Sequence, residues 1–125
     1  MSFRKCHEPI LTKSVAGKDR TGVLSSLLLD LAGAERKVIA FNYTLTRIGV
    51  EPKRDILTKS LRAMYPPEIT EESPGFKEVA SVKGEFILGF VDVLREDFGG
   101  AEGYCKNELG FTDEEIKILK NRLKG

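Results

Sequence analysis

The sequence has no tryptophan, one histidine and only two cysteines among its 125 residues. Cys6 and Cys105 are too few for a disulfide framework and do not have the spacing of metal ligands. The chain therefore has too few cysteines and histidines to build a metal site from them, and we predict no metal site. So few cysteines favour a reduced, cytoplasmic setting.

Long apolar runs and a charge of one sign are also missing. No apolar stretch approaches the length that crosses a bilayer, and the charged start (Arg4, Lys5, Glu8) lacks the apolar segment of a secretory leader. The net charge is +1, and no basic stripe or base-stacking pattern is present. We therefore expect neither a membrane nor a nucleic-acid partner, and any anion site must be local. At this length the chain forms one domain at most.

Most of the chain has helical periodicity. The first helix is expected from Val23 to a stop at Gly33. A second is expected at about residues 35–47, ended by Gly49, with four apolar residues on one side: Val38, Phe41, Leu45 and Ile48. A third begins near Pro52 and ends before Pro66-Pro67.

Three further helices are predicted after a surface loop at residues 66–77. The fourth covers roughly residues 79–98 and is broken by Gly99-Gly100; its apolar face comprises Phe86, Ile87, Phe90, Val91, Leu94 and Phe98. A short helix follows at residues 101–109, where Cys105 is expected to be a packing residue. Thr112 and Glu115 form a capping box that opens the last helix.

The most informative stretch is the turn that contains Gly17 and Gly22. It joins an apolar, strand-like segment at residues 9–13 to the helix that starts at Val23. A glycine-containing turn between a strand and a helix points several backbone N–H groups at one place, where the helix N-terminus adds partial positive charge. Arg20 lies in this turn, and its planar guanidinium can hold two phosphate oxygens. The pattern predicts a phosphate-binding loop.

A nucleotide P-loop is excluded, because that motif continues with Lys and Ser or Thr where this chain has Val23 and Leu24. The turn resembles instead the signature loop of the atypical tyrosine/serine phosphatases of bacteria and fungi, His-Cys-x-Ala-Gly-Lys-Asp-Arg-Thr-Gly. The matching letters here are Ala16-Gly17-Lys18-Asp19-Arg20-Thr21-Gly22. Ser14 stands at the position of the nucleophilic Cys, and Lys13 stands at that of the His.

Other motifs of the family are similar as well. The chain has a Tyr-x-Leu-Thr segment and two motifs near its end: Tyr43-Thr44-Leu45-Thr46, Gly99-Gly100-Ala101-Glu102-Gly103-Tyr104 and Leu109-Gly110-Phe111-Thr112-Asp113-Glu114. The resemblance covers nearly the whole chain, but only the C-terminal half of the family domain. It implies an α/β fold of the tyrosine-phosphatase type, of which residues 1–125 form a single partial domain.

In that partial domain, residues 9–22 would form one short strand and the phosphate-binding loop, and residues 23–125 would form the helical region. The strands of the N-terminal sheet would be missing from this chain. Because a lone strand leaves backbone groups unpaired, residues 9–13 would need partners that the chain does not supply. We therefore expect a truncated member of the family.

The resemblance implies a role for each residue of the loop. Asp19 would protonate the leaving group, Arg20 would hold the phosphate and Lys18 would contact the substrate. Thr21 would hydrogen-bond the nucleophile position, Ser14. Phosphate would be bound by Val15, Ala16, Gly17, Lys18, Asp19, Arg20 and Thr21. The substrates would be phosphorylated proteins or small phosphate esters, and no cofactor is needed because Arg and amides stabilise the charge.

Ser14 cannot simply replace a thiol, because a hydroxyl needs an adjacent base to become a nucleophile. His7 lies roughly 23 Å away along an extended chain. Strand alternation would point Lys13 to the side opposite Ser14. The first hypothesis is therefore a phosphatase-family chain with turnover lost or very weak. The second is a non-catalytic phosphate-binding module, a pseudophosphatase. The third is a decayed gene product that self-associates through exposed apolar faces.

Overall fold

The computed structural model describes residues 10–125, and the secondary structure of this part of the chain is helical. A single 3-10 turn, Glu51–Lys53, connects the second helix to the third. The helices, in chain order, are α1 Asp19–Ala32, α2 Arg36–Val50, α3 Arg54–Ala63, α4 Phe76–Ala80, α5 Gly84–Phe98, α6 Gly100–Asn107 and α7 Asp113–Lys124. None of the helices in this part of the chain is long and apolar enough to span a bilayer.

Several helix ends confirm the sequence-based expectations. α1 ends at Gly33, which has a left-handed φ of 87°, and its cap includes a bond from Ala34 N to Leu29 O of 2.9 Å. Gly99 (φ 74°) separates α5 from α6 in the same way. The capping box is present at α7, where Thr112 Oγ1 accepts from the Glu115 N–H and the Glu115 carboxylate accepts from the Thr112 N–H.

Three predicted boundaries are wrong. The first helix begins at Asp19 and not at Val23, so the last residues of the predicted loop form its first turn. Gly49 does not end the second helix, which continues to Val50 and passes into the 3-10 turn that holds Pro52. The predicted helix at residues 79–98 is two helices, because residues 81–83 interrupt it and Ser81 and Lys83 are extended. The Ser81 hydroxyl donates to the Glu78 carbonyl and so competes with continued helix at that point.

The core consists of two adjoining clusters. One joins α1, α5, α6 and α7 through Leu31, Leu94, Ala101, Cys105 and Ile116. The other joins α2 to α5 through Ile39, Tyr43, Ile87 and Val91. Phe90 packs against both clusters, so α5 connects them. Cys105 is 2% exposed, as expected of a packing residue.

A carboxylate braces three of these helices near the C-terminal end of α1. Asp30 Oδ1 accepts hydrogen bonds from Arg95 Nε (3.1 Å) and Nη2 (2.6 Å), and Asp30 Oδ2 accepts from the Ala101 N–H at 3.0 Å. The Asp30 side chain is 8% exposed and that of Arg95 is 41% exposed, so the carboxylate is buried while the guanidinium remains partly in water. The brace fixes α1 against the end of α5 and the start of α6.

The apolar stripe predicted for α2 lies on the wrong side. Val38, Phe41, Leu45 and Ile48 are all exposed, whereas Ile39 and Tyr43 are buried. The two sets are about half a turn apart on a helix of 3.6 residues per turn, so α2 has apolar residues on opposite faces. The face that packs in the core is the one with Ile39 and Tyr43. Phe86, which was predicted to join the face of α5, is also exposed, at 44%.

The strand predicted at residues 9–13 is not confirmed. Pro9 lies outside the described residues, and residues 10–14 belong to neither a helix nor a strand. A strand requires a neighbouring backbone to pair with, and residues 10–125 contain no such partner. The described residues therefore confirm the helical region of the predicted α/β fold but not its sheet.

Candidate functional site: the anion loop

The predicted phosphate-binding residues form a bend that leads directly into α1. We call residues 14–21 the anion loop. Its turn is closed by a bond from Gly17 N to Ser14 O of 3.1 Å, and Gly17 has a positive φ of 63°, which a side chain would disfavour. α1 then begins at Asp19. The N–H groups of its first turn have no carbonyl of the same helix to bond, so they remain available for an anion.

The hydroxyls of Ser14 and Thr21 meet across the loop. Ser14 Oγ and Thr21 Oγ1 are 3.0 Å apart, and either can be the donor. This is the contact that the resemblance implies between Thr21 and the nucleophile position. It ties the start of the loop to the first turn of α1. Ser14 is partly buried, with its neighbours Lys13 and Val15 exposed.

Arg20 lies between two depressions in the surface. One is a shallow depression shared by Lys13, Ser14, Arg20, Thr21 and Leu24. Lys13 and Ser14 both line it. The predicted strand would have pointed these two side chains to opposite sides, but residues 12–15 do not form a strand. Arg20 is exposed, so its guanidinium can reach an anion held at the loop.

The second depression is an apolar cavity of about 240 Å³ on the other side of Arg20. We call it the α3 cavity. Leu57, Leu61 and Met64 of α3 line it together with Val79 of α4. Arg54 adds a third cation to its lining, besides Lys18 and Arg20. Val15, Ala16, Lys18, Asp19 and Arg20 of the anion loop also line it, so the loop borders both depressions.

Lys18 is the buried member of the loop. Only 7% of the residue is exposed. Its Nζ donates hydrogen bonds to the backbone carbonyls of Val79 and Ser81, the latter at 3.0 Å. The Asp19 carboxylate lies 3.4 Å from the same Nζ. The Lys18 ammonium is therefore already bound by oxygens of its own chain, whereas the resemblance implies a contact with the substrate.

Asp19 has a partner that sequence analysis did not assign to the site. The Tyr43 hydroxyl donates to Asp19 Oδ1 at 3.1 Å. Burial, followed by the Asp19 charge and this hydrogen bond, raises the pKa of Tyr43 to about 12, so the phenol stays a donor at neutral pH. The Asp19 side chain itself is 65% exposed and can reach a ligand.

Tyr43 approaches the loop this closely because residue 22 has no side chain. A Cβ at Gly22 would lie 2.7 Å from two ring carbons of Tyr43, which is closer than packed atoms tolerate. The signal was present in the sequence, since both Gly22 and Tyr43 belong to motifs of the phosphatase resemblance. Their contact was missed because they are 21 positions apart and only the packing of α2 on α1 brings them together.

Residues 10–125 contain no group of three or more His, Cys, Asp or Glu side chains that could hold a metal ion. Burial, and then the nearby Glu102 carboxylate, raise the pKa of the Cys105 thiol. That cysteine is therefore a poor nucleophile, because the reactive form is the thiolate. Cys6 and His7 lie outside the described residues.

Comparison with known proteins confirms the resemblance over nearly the whole chain. A model of a tyrosine phosphatase family matches residues 2–125. A tyrosine-protein phosphatase of Nostoc commune is 33% identical over 118 residues, which are 91% of this chain and 38% of that protein. The triple specificity protein phosphatase PtpB of Mycobacterium tuberculosis is 27% identical over 123 residues, which are 94% of this chain and 44% of that protein.

The chain thus spans about two fifths of the length of these two relatives. The family match extends through the anion loop, the α2 residue that contacts it and the helices that carry the core. This chain belongs to the tyrosine phosphatase family.

Proposed function

We propose that the anion loop binds phosphate monoesters, on proteins or on small molecules, and that hydrolysis by this chain is lost or very weak. The observation that carries the proposal is the hydrogen bond between Ser14 and Thr21. In sequence, Ser14 stands where the family's loop has its nucleophilic cysteine, and residues 16–21 match that loop, which supports the proposal.

Binding depends on groups that this chain retains. The backbone N–H groups at the start of α1 and the positive end of its dipole favour an anion. The Arg20 guanidinium offers a planar pair of donors beside them. None of these interactions involves the sulfur of the family's cysteine, so its replacement by Ser14 leaves them in place.

Turnover depends on a group that is absent. A cysteine in such a loop reacts as a thiolate, whereas a serine hydroxyl stays protonated unless a base removes its proton. The hydroxyl partner of Ser14 is Thr21, which is not a base at neutral pH. In any residual reaction we assign leaving-group protonation to Asp19 and charge stabilisation to Arg20.

The decisive experiment measures binding and turnover separately. Calorimetric titration of the wild-type chain with inorganic phosphate and with a phosphotyrosine peptide should detect binding. Arg20→Ala should weaken it by about tenfold or more, since hydrogen bonds to charged groups contribute about 1.5–3 kcal/mol. Arg47→Ala is the matched control, because Arg47 is an exposed arginine of α2 that lines neither depression beside the loop.

Turnover of a chromogenic aryl phosphate should be at background for the wild type. Ser14→Cys should restore little turnover, because residues 10–14, which lead into the loop, have no strand to pair with among residues 10–125. Substantial wild-type turnover that is abolished by Arg20→Ala would contradict the claim of lost hydrolysis. Absence of phosphate binding at millimolar ligand would remove the binding proposal itself.

A further inference from the structure

One buried side chain ties the anion loop to a segment more than 60 residues further along the chain. Lys18 Nζ bonds the carbonyls of Val79 and Ser81 and faces the Asp19 carboxylate. An ammonium group has three N–H donors, and these three oxygens match that number. The ammonium group of Lys18 therefore has its hydrogen bonds satisfied within the protein, whereas an exposed lysine would have donors free for a ligand.

The segment that Lys18 holds forms one wall of the α3 cavity. Val79 and Ala80 line the cavity opposite α3, whose Leu57 and Leu61 form the other wall. Arg20 lies at the edge that joins the cavity to the anion loop. The width of the cavity therefore depends on where residues 79–81 lie relative to the loop.

Few other contacts fix that segment. α4 has only five residues, too few to be stable alone. Phe76 is the one buried residue between positions 51 and 80, and it contacts Tyr65 edge-on with ring centroids 6.3 Å apart. After α4, residues 81–83 form a link in which Ser81 and Lys83 are extended. The two bonds from Lys18 are thus a main attachment of the second half of α4.

We propose that Lys18 is a positioning residue that sets the width of the α3 cavity and so selects the organic group of a bound phosphate ester, while Arg20 and the loop amides bind the phosphate. The inference rests on the proposed function, because it assigns the organic group of the same ligand to this cavity. Its apolar walls suit an uncharged aromatic or aliphatic group, which gains from leaving water.

The test compares two non-hydrolysed probes: inorganic phosphate, which has no organic group, and phenylphosphonate, which has one. In Lys18→Met, phenylphosphonate should bind about tenfold or more weakly, and inorganic phosphate about threefold or less weakly. Lys37→Met removes the same charge at an 80% exposed site and should change neither affinity by more than about twofold. Equal losses for both probes in Lys18→Met would identify Lys18 as a phosphate contact and overturn the proposal.

A second measurement needs no ligand. The amide of Val79 bonds the Gly75 carbonyl at 3.0 Å, and that of Ser81 bonds the Glu78 carbonyl at 3.1 Å. Lys18→Met should accelerate hydrogen exchange at both amides by about tenfold or more, whereas Lys37→Met should not. Unchanged exchange would overturn the positioning role even if phosphate binding succeeds. If the wild type fails to bind phosphate but exchange is faster in Lys18→Met, the proposed function is refuted and the attachment of residues 79–81 by Lys18 is established.

Lys18→Gln covers the case in which Lys18→Met does not fold. Its amide keeps a donor for one of the two carbonyls, so exchange at Val79 and Ser81 should lie between that of the wild type and full loss of protection. Exchange equal to that of the wild type in Lys18→Gln would count against the tie.

Discussion

The two faces of α2 differ in what they contribute to the protein. One face holds Ile39, which is fully buried, and Tyr43, which is 4% exposed. The opposite face holds residues of comparable apolar character, yet Phe41 is 64% and Ile48 73% exposed. Apolar character alone therefore does not determine which side of this helix packs.

The buried face serves the core and the candidate site together. Ile39 packs in the cluster with Ile87 and Val91 of α5. One turn further along α2, Tyr43 belongs to the same cluster and bonds Asp19 of the anion loop. The loop is therefore supported by the interior of the protein, and changes on this face should affect both stability and binding. Changes on the exposed face should affect neither.

The largest effect is expected from Ile39→Ala. Truncating a fully buried isoleucine removes packing on every side, and the expected cost is about 3 kcal/mol of unfolding free energy. Ile48→Ala on the exposed face is the matched control and should cost less than about 0.5 kcal/mol. Denaturant unfolding of both variants measures the difference. Similar costs for the two substitutions would show that the exposed face is covered in solution.

A smaller effect is expected from Gly22→Ala, which tests the contact between α1 and Tyr43. The added methyl group must displace the Tyr43 ring, at a cost of about 2 kcal/mol, and the displaced ring would also weaken phosphate binding. Gly89→Ala in α5 is the control, because a Cβ there meets nothing within 4 Å. That substitution should stabilise the protein by about 0.5–1 kcal/mol. Thermal unfolding that places both variants on the same side of the wild type would contradict the packing described.

The smallest effect at neutral pH is expected from Tyr43→Phe, which keeps the ring and removes the hydroxyl that bonds Asp19. The expected cost is about 1 kcal/mol, because water can replace the donor at the exposed carboxylate. The Tyr43 pKa lies at about 12 in the folded protein, against an ordinary value of 10. The contribution of its protonated form is thus complete below pH 10 and is lost as the pH rises towards 12.

The sign of this pH dependence can be checked directly. As the pH rises from 10 to 12, the wild type should lose about 2 kcal/mol relative to Tyr43→Phe, so that their stabilities cross. Tyr104→Phe is the control, because it removes a hydroxyl elsewhere, from a ring that packs on Phe98. The stability curve of Tyr104→Phe should still cross that of Tyr43→Phe. Parallel stability curves for the wild type and Tyr43→Phe would show that folding does not raise the pKa of Tyr43 through burial and the Asp19 carboxylate.

Local sequence signals predicted the helices and their ends with some success. The stops at Gly33 and Gly99 and the capping box at Thr112 are confirmed, because each is decided by one or two residues and their own backbone. The break at residues 81–83 was missed. Gly84 directly follows the break and begins α5, and the break is accompanied by a tertiary contact, the Lys18 bonds, that no local pattern contains.

The candidate site was predicted as a stretch of chain but not as an arrangement in space. The residues of the anion loop are adjacent in sequence, so their proximity follows from a turn followed by a helix. The partners of Lys18 and Asp19 come from α4, the link after it and α2, and depend on which face of α2 packs inward. Because apolar residues occupy both faces of α2, periodicity could not decide between them, and the contact with Tyr43 could not be foreseen.

The brace at Asp30 has a consequence for ligands. α1 carries the anion loop at its start and this carboxylate about 17 Å further along the helix axis. Because the helix is rigid and Asp30 anchors its C-terminal end, a small rotation of α1 at Asp30 would displace the first turn by a larger distance. Substitutions of Asp30 or Arg95 are therefore expected to make the position of Arg20 less well defined, although neither residue lies in the anion loop.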